Sequence, residues 1–284
     1  MLDDLMRWYG RAPLRAQRLL RRYLVKPGKQ LLSRGVIRQN GFVITKQLDQ
    51  SIPFILWRAG SYEPALSAMF REFLRPGDTF FDIGANVGYF TLLAASRVGK
   101  TGKVHSFEPN PPVFRELERN VALNRFDQVI PNDCALSDRA EMVELWVNPE
   151  VDSGLSSLRR TNEILTQTIT RRAIRLDDYV VQNQIGKIRA MKLDVEGAEQ
   201  LVLQGAQTLL TSVLKPDVIA LESVQSHAVA FGRTTDAVVQ FLVAKGYRVC
   251  VLTEDDAAHF RLADFNLAAG VPDSTLVAMR EGPL

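Results

Sequence analysis

The sequence contains few cysteines, and this scarcity excludes two kinds of stabilising framework. Only two of the 284 residues are cysteines, Cys134 and Cys250. They lie far apart and match no metal-ligand spacing, which argues against a disulfide framework and against a structural zinc site. We expect both to be buried free thiols in a reducing compartment.

The sequence also lacks an apolar run long enough to span a membrane, which would need about 18 residues. Asp3, Asp4 and several arginines stand where a signal peptide would need an apolar centre. We therefore expect a cytoplasmic protein. Apolar residues make up 46% of the chain, which is enough for a substantial globular core.

Positive charge is concentrated near the N-terminus. Residues 1–38 hold ten Lys and Arg against two Asp, a balance of +8, and because the whole chain carries +3, residues 39–284 carry −5. Apolar residues recur at helical spacing between Ala16 and Leu24, which predicts a basic amphipathic helix. Such a helix can make a peripheral contact with the inner face of an anionic membrane, or pack on the body with its arginines in water. We expect no nucleic-acid partner, and the sequence leaves the oligomeric state open.

The first 60 residues differ in pattern from the rest of the chain. Two β-prone runs flank Asn40 and Gly41, a dipeptide that favours a type I′ hairpin turn. From Ser61 onward strands and helices alternate, which predicts a mostly parallel sheet with helices on both faces. We divide the chain into a helical and hairpin extension over residues 1–60 and an α/β domain over residues 61–284.

The alternation predicts the positions of the strands in the α/β domain. The first follows Asp78 and leads into the glycine-rich turn, the third begins at residue 129 and extends to about residue 138, and the others cover residues 103–108, 188–193, 218–222, 247–252 and 275–279. Residues 141–176 break the alternation and are predicted to form an antiparallel excursion over the cofactor side. Such insertions commonly supply substrate contacts.

Residues 80–90, FFDIGANVGYF, combine an apolar strand, an acid, a glycine-rich turn and the start of a helix. Glycine lets backbone N–H groups at a helix N-terminus approach a nucleotide-like ligand. A dinucleotide fingerprint beginning at Gly84 would need glycines where the chain has Asn86 and Tyr89. The pattern from Asp82 to Gly88 resembles instead the first motif of class I S-adenosylmethionine-dependent methyltransferases. An ordinary strand-to-helix turn is the alternative.

Acidic residues follow several of the predicted strands. Glu108 ends the second strand, where an acid can accept both ribose hydroxyls, although a solvated loop glutamate would look the same. Asp133 can accept an adenine amino group or serve as a turn residue. Asp194 and Glu196 follow the fourth strand, at the edge where ligands bind in open α/β sheets. Glu199 begins the next helix, and an acid in the first turn of a helix complements the helix dipole, which is enough to explain its position.

Five ordered blocks of the sequence together resemble the FkbM family of S-adenosylmethionine-dependent methyltransferases. They are residues 61–64 (SYEP), 82–88 (DIGANVG), 107–110 (FEPN), 135–138 (ALSD) and 192–199 (KLDVEGAE). The resemblance implies a doubly wound, mostly parallel seven-stranded sheet of the Rossmann-like methyltransferase type, with the last strand antiparallel. It implies S-adenosyl-L-methionine as cofactor and O-methylation of a hydroxyl on a sugar, glycan or secondary metabolite.

The strand-end acids and the blocks that carry this resemblance supply the candidate cofactor contacts. They are Glu63, Asp82, Gly84, Asn86, Gly88, Glu108, Pro109, Asp133 and Ala135.

Methyl transfer to a hydroxyl requires a nearby general base, because the oxygen attacks well only as it loses its proton. The candidates are Asp194 and Glu196, with His227, just beyond the fifth strand, as a third that could equally be a surface or packing residue. The carboxylate pair could instead bind a divalent cation or sugar hydroxyls, and we assign no metal ligands from the sequence. An NAD-dependent oxidoreductase and a non-catalytic membrane-surface protein are the two alternative functions.

Overall fold

The computed structural model describes residues 35–47, 51–147, 156–159, 167–254, 259–265, 267 and 270–280. The predicted basic helix between residues 16 and 24 lies outside the described residues, so the proposed peripheral membrane contact remains a prediction. Within the described part, no helix combines the length and the apolar character needed to cross a membrane. The chain divides into two compact units, one of residues 1–39 and 43–62 and the other of residues 40–42 and 63–284.

The strands and helices of the described residues are numbered here in chain order. They are β1 (Val36–Gln39), β2 (Phe42–Thr45), α1 (Ser51–Ala59), α2 (Pro64–Phe73), β3 (Thr79–Ile83), α3 (Tyr89–Val98), β4 (Lys103–Phe107), α4 (Pro111–Asn124), β5 (Val129–Asn132), β6 (Ala135–Leu136), β7 (Glu141–Val147), β8 (Ser156–Ser157), β9 (Gln167–Ile174), α5 (Leu176–Gln182), β10 (Ala190–Leu193), α6 (Glu199–Gln204), α7 (Gln207–Thr211), β11 (Val218–Ser223), α8 (Gln225–Ala230), α9 (Thr235–Ala244), β12 (Tyr247–Glu254), β13 (Phe260–Ala263) and β14 (Ser274–Arg280).

The smaller unit contains helix α1, which buries Ile52 and Leu56. Strands β1 and β2 form a two-stranded hairpin around the predicted Asn40-Gly41 turn. Of these two turn residues only Gly41 has a positive φ, of 92°. A type I′ turn needs positive φ at both, so the predicted turn type is wrong although the hairpin is present.

The larger unit is built on a mixed sheet with the strand order β13-β12-β14-β11-β10-β3-β4-β5. Strands β11, β10, β3, β4 and β5 pair in parallel. Strand β14 lies antiparallel between β11 and β12, so the predicted antiparallel last strand is confirmed. The predicted doubly wound sheet is present with one addition, because β13 pairs antiparallel with β12 at the edge and raises the strand number from the expected seven.

The predicted antiparallel excursion forms a second sheet with the order β6-β9-β7-β8. Strands β7 and β9 pair antiparallel, and the short β6 pairs in parallel with β9. The predicted third strand is therefore too long. Strand β5 ends at Asn132, the chain leaves the main sheet at the exposed Asp133, and the next pairing is made with β9 in the other sheet.

The core lies on both faces of the central strands β3 and β10. Phe80, Phe81 and Met191 are fully buried in these strands, and both cysteines are buried free thiols as predicted. Because the five parallel strands run in one direction, the loops that follow them meet at one edge of the sheet. This edge, called the carboxyl edge below, carries the loops after β3, β4, β10 and β11.

Candidate active site

The loop between β3 and α3 owes its conformation to three residues with positive φ. Gly84 has a φ of 76°, Asn86 of 51° and Gly88 of 94°. Glycine adopts this region without strain, and asparagine is among the side chains that tolerate it best. Asn86 also steadies the turn, because its Oδ1 accepts a hydrogen bond of 2.7 Å from the N–H of Val87.

The same loop is packed so closely that two of its residues have no room for a side chain. A Cβ on Gly84 would collide with the carbonyl oxygen of Asp194, in the loop after β10. A Cβ on Gly88 would lie 2.6 Å from Cδ1 of Leu117 in α4. The side-chain amide of Asn120 donates 2.8 Å to the carbonyl of Val87 and holds the loop from the α4 side.

Glu108 follows β4 and is only 3% exposed. Its Oε2 accepts a 3.0 Å hydrogen bond from the N–H of Asn86, and its Oε1 accepts one of 2.8 Å from the N–H of Asn110, beyond Pro109. Burial raises the pKa of Glu108 to about 7, although both hydrogen bonds oppose the shift. A carboxylate has about four lone-pair sites, so Glu108 keeps capacity to accept further donors.

Asp82, inside strand β3, is completely buried. Its Oδ2 accepts a 2.6 Å hydrogen bond from the Thr91 hydroxyl, whereas its Oδ1 is buried without a hydrogen-bond partner. Burial raises the pKa of Asp82, and the charge of Lys192 opposes that rise. An unpartnered buried oxygen is costly, and a ligand with a donor at this position would satisfy it.

Lys192 links the loops after β3 and β10, and the sequence reasoning gave it no role. Its Nζ donates to Asp194 Oδ2 at 3.0 Å and to the Gly84 carbonyl at 3.4 Å. Burial lowers the pKa of Lys192, but the charges of Asp194 and Asp82 outweigh burial, so the net shift is upward. A lysine placed between apolar residues of a central strand is the signal that could have identified it, because buried lysines are almost always paired.

The loop after β10 places two acids in different roles. Glu199 is a structural residue, because its Oε1 accepts hydrogen bonds of 3.2 Å from the N–H groups of both Val195 and Gly197. Glu196 has a φ of 55°, and its carbonyl accepts 2.9 Å from the hydroxyl of Ser157 in β8. Ser157 thus connects the second sheet to Glu196, one of the candidate general bases.

The structure brings two of the predicted catalytic residues into contact. His227 Nδ1 lies 3.2 Å from Glu196 Oε2, but the geometry of the pair is not that of a hydrogen bond. Burial and repulsion from Asp194 raise the pKa of Glu196 to about 8. Burial lowers the pKa of His227, although the charge of Asp194 opposes this shift.

Glu222, near the end of β11, joins this pair and was not predicted as a site residue. Burial, followed by repulsion from Asp194 and Glu199, raises its pKa to about 8. Its signal in the sequence was an acid at the carboxyl end of the fifth parallel strand, the same position that Glu108 occupies in the second. Glu222 also lines a small cavity together with Glu63, Lys192 and Asp194.

The remaining predicted cofactor residues differ in how well they are placed. Glu63 has a φ of 41° just before α2, and its charge acts on Lys192 and Glu222. Ala135 is buried in β6. Asp133 is exposed and its carboxylate pairs with Arg171 of β9, so its carboxylate is already occupied in this structure.

Residues 82–249 match the family model of the methyltransferase FkbM domain. The chain belongs to the FkbM methyltransferase family. The matched region begins at the buried Asp82 and includes the loops after β3, β4, β10 and β11. The predicted family is confirmed. Its members use S-adenosylmethionine as cofactor, so this cofactor replaces the NAD of the alternative prediction.

Curated relatives carry methyltransferase names. The chain is 31% identical over 166 residues to 31-O-demethyl-FK506 methyltransferase FkbM of Streptomyces tacrolimicus, covering 47% of this chain and 61% of the relative. It is 29% identical over 137 residues to hexuronic acid methyltransferase AglP of Haloferax volcanii, covering 48% and 53%. The matched region thus spans roughly half to three fifths of these relatives. A solved structure of methyltransferase FkbM from Methylobacillus flagellatus superposes with a TM-score of 0.44 and 16% identity, covering 89% of this chain and 58% of that one.

The residues of the carboxyl edge fit an S-adenosylmethionine molecule. Helix α3 begins directly after Gly88 in the loop after β3, and the N–H groups at a helix N-terminus suit a carboxylate such as that of the methionine end. Glu108 has free acceptor capacity at the position where ribose is held in such sheets, and Asp82 offers an unpartnered oxygen. When bound, this cofactor supplies an electrophilic methyl group on a positively charged sulfur.

Replacing Gly84 by alanine is expected to lower the free energy of unfolding by about 3 kcal/mol or more, because the new Cβ meets the Asp194 carbonyl and the backbone is left-handed. Gly186→Ala is the matched control, since a Cβ there meets nothing within 4 Å. Urea unfolding followed by circular dichroism measures both. Equal unfolding midpoints for the two variants would contradict the packing described here.

Proposed function

We propose that this protein transfers the methyl group of S-adenosylmethionine to a hydroxyl of a sugar, a glycan or a secondary metabolite, with Asp194 as the general base. Two relatives support the acceptor class, because one is a 31-O-demethyl-FK506 methyltransferase and the other a hexuronic acid methyltransferase. The proposal is carried by the position of Asp194. This residue lies between the loop after β3 and the group formed by Glu196, Glu222 and His227.

The loop after β3 and the end of β4 hold the cofactor in this proposal. Glu108 accepts hydrogen bonds from the two ribose hydroxyls, while the turn from Gly84 to Gly88 faces the methionine end. Glu63, Asp82 and Pro109 line the same region, and Ala135 and Asp133 follow β5 towards the adenine. For Asp133 this role requires that the contact with Arg171 open.

Asp194 is suited to remove the acceptor proton because one of its oxygens is fixed and the side chain is still accessible. Lys192 holds Oδ2, which leaves Oδ1 to receive the proton, and the side chain is 27% exposed. Because Lys192 also contacts the Gly84 carbonyl, Asp194 is held at a fixed position relative to the loop after β3. Correct orientation of the reacting groups contributes much of the rate in such transfers.

Glu196 and His227 remain candidates with a different expected role. Since its pKa is raised to about 8, Glu196 is mostly protonated at neutral pH and is then no base. His227 is neutral there, because burial keeps its pKa below the ordinary value. We assign both to the acceptor side of the site, in the field of Asp194.

Asp194→Asn is expected to reduce kcat by at least about a hundredfold, since general-base catalysis commonly contributes a factor of this size. The dissociation constant for S-adenosylmethionine should stay within about threefold of wild type, well under 1 kcal/mol. Calorimetry measures binding, and release of S-adenosylhomocysteine in the presence of candidate acceptors measures turnover. Asp127→Asn, at an exposed position in the turn between α4 and β5, is the matched control.

Retained turnover in Asp194→Asn would remove this residue as the base and favour His227. A wild-type protein that binds no S-adenosylmethionine would contradict the whole proposal, and binding of NADH instead would restore the oxidoreductase alternative. An enzyme that binds the cofactor but methylates nitrogen acceptors only would overturn the acceptor class.

Affinity for S-adenosylmethionine is expected to depend on the protonation of Glu108. With a pKa of about 7, Glu108 is ionised above neutrality and protonated below it, and only the ionised form accepts both ribose hydroxyls. The dissociation constant should therefore rise about tenfold between pH 8 and pH 6. Calorimetry at a series of pH values measures it.

Glu108→Gln is the control for this pH dependence. The variant should bind more weakly at pH 8 and lose the rise towards pH 6. Because the cofactor titrates identically with both proteins, the difference between their profiles reports Glu108 alone. Parallel profiles for the two proteins would show that Glu108 does not control cofactor binding through its charge.

A further inference from the structure

We propose that Glu196, Glu222 and His227 form a binding site for a divalent transition-metal ion beside Asp194. The three residues come from separate parts of the carboxyl edge: the loop after β10, the end of β11 and helix α8. The inference stands on their mutual geometry. It does not require that the protein methylate a hydroxyl.

The spacing of the donor atoms matches that of metal ligands. One oxygen of each carboxylate and one nitrogen of His227 all lie within 4.8 Å of one another, and Glu196 Oε2 is 3.2 Å from His227 Nδ1. A metal with bonds of about 2.0 to 2.2 Å keeps its ligands about 3 to 4.4 Å apart. Movements of a few tenths of an ångström would therefore bring the three donors into a coordination sphere.

The imidazole nitrogen that faces this group has no other use in the described structure. His227 Nδ1 is shielded from solvent and makes no hydrogen bond, although Glu196 Oε2 is close enough for one. Buried polar atoms of native proteins normally have a partner, and an exception needs a cause. A cation between the two side chains would use the lone pairs of both atoms at once.

The charge around these residues also favours a cation. Three carboxylates outside the proposed ligand set, those of Glu63, Asp194 and Glu199, act electrostatically on Glu222. The ammonium of Lys192 lies nearby but is bonded to Asp194 and to the Gly84 carbonyl. Carboxylates brought this close together repel one another, and a divalent ion would relieve that repulsion directly.

The backbone of the loop after β10 lies in close contact with helix α8, which carries His227. Gly197, one residue after Glu196, has a φ of 100°, and a Cβ on it would lie 2.7 Å from the carbonyl oxygen of His227. Glu199 secures the same loop by accepting from Val195 and Gly197. This close backbone contact, which only glycine permits, fixes the position of Glu196 relative to His227.

The donor set indicates which ion would bind. Two carboxylates and one imidazole suit Mn²⁺ or Zn²⁺ better than Ca²⁺ or Mg²⁺, which prefer oxygen ligands alone. Three protein ligands leave at least one position open, and Glu196 and His227 are 21% and 20% exposed. Within the proposed function, that position would take the acceptor hydroxyl close to Asp194.

Binding of Mn²⁺ to the full chain, after removal of bound metal with a chelator, tests the site without cofactor or acceptor. Loss of the free Mn²⁺ signal in electron paramagnetic resonance should show one ion per chain. Glu222→Gln and His227→Gln should each weaken binding by at least about tenfold. Glu118→Gln, at an exposed position of α4, should bind as the wild type does, and Zn²⁺ should displace Mn²⁺.

A measurement on the wild-type protein tests the location even if a variant fails to fold. The chain has three histidines, and at a low ratio of Mn²⁺ to protein the imidazole proton signals of His227 should broaden first, and those of His105 and His259 less. Absence of Mn²⁺ and Zn²⁺ binding at millimolar concentration would overturn the inference. So would unchanged affinity in Glu222→Gln, or broadening that spares His227. Because no step involves methyl transfer, these outcomes are independent of whether the proposed function holds.

Discussion

A buried ammonium group is the constraint on which the candidate active site depends. Lys192 stands in the central strand β10 and donates to both Asp194 and the Gly84 carbonyl. It also lies in the field of the fully buried Asp82. Removing a charge from such a setting leaves the opposite charges uncompensated, which is costly. The loop proposed to hold the cofactor and the loop proposed to carry the base are therefore tied to one cation.

The other acids of the carboxyl edge divide according to their partners. Glu108 and Glu199 each accept two backbone N–H groups and so shape the loops that carry them. Glu196 and Glu222 face His227 and one another, and burial, followed by repulsion from neighbouring carboxylates, raises the pKa of both carboxyls. Strongly shifted values of this kind concentrate at functional sites. The edge thus combines two structural acids with a group that can bind a positively charged or hydrogen-donating partner.

Strand-end acids were predicted well where the strand is parallel and lies in the main sheet. Glu108, Asp194 and Glu196 are at the carboxyl edge because parallel strands end there together. Asp133 shows the limit of the rule, because the chain leaves the sheet after Asn132 and an arginine from β9 binds its carboxylate. Glu222 satisfied the same rule and was overlooked, since it lies outside the five blocks on which the family resemblance rests.

The sequence by itself determined the family, the order of strands and helices and the turn from Gly84 to Gly88, because these follow from local pattern and from residues with special backbone freedom. Only the tertiary structure decided that Lys192 bonds to the Gly84 carbonyl, that the N–H of Asn86 donates to Glu108 and that His227 meets Glu196 and Glu222. These contacts join residues that lie in or follow different strands. Which residues become partners depends on how the parallel strands pair side by side in the sheet. No local sequence pattern predicts the resulting distances between their side chains.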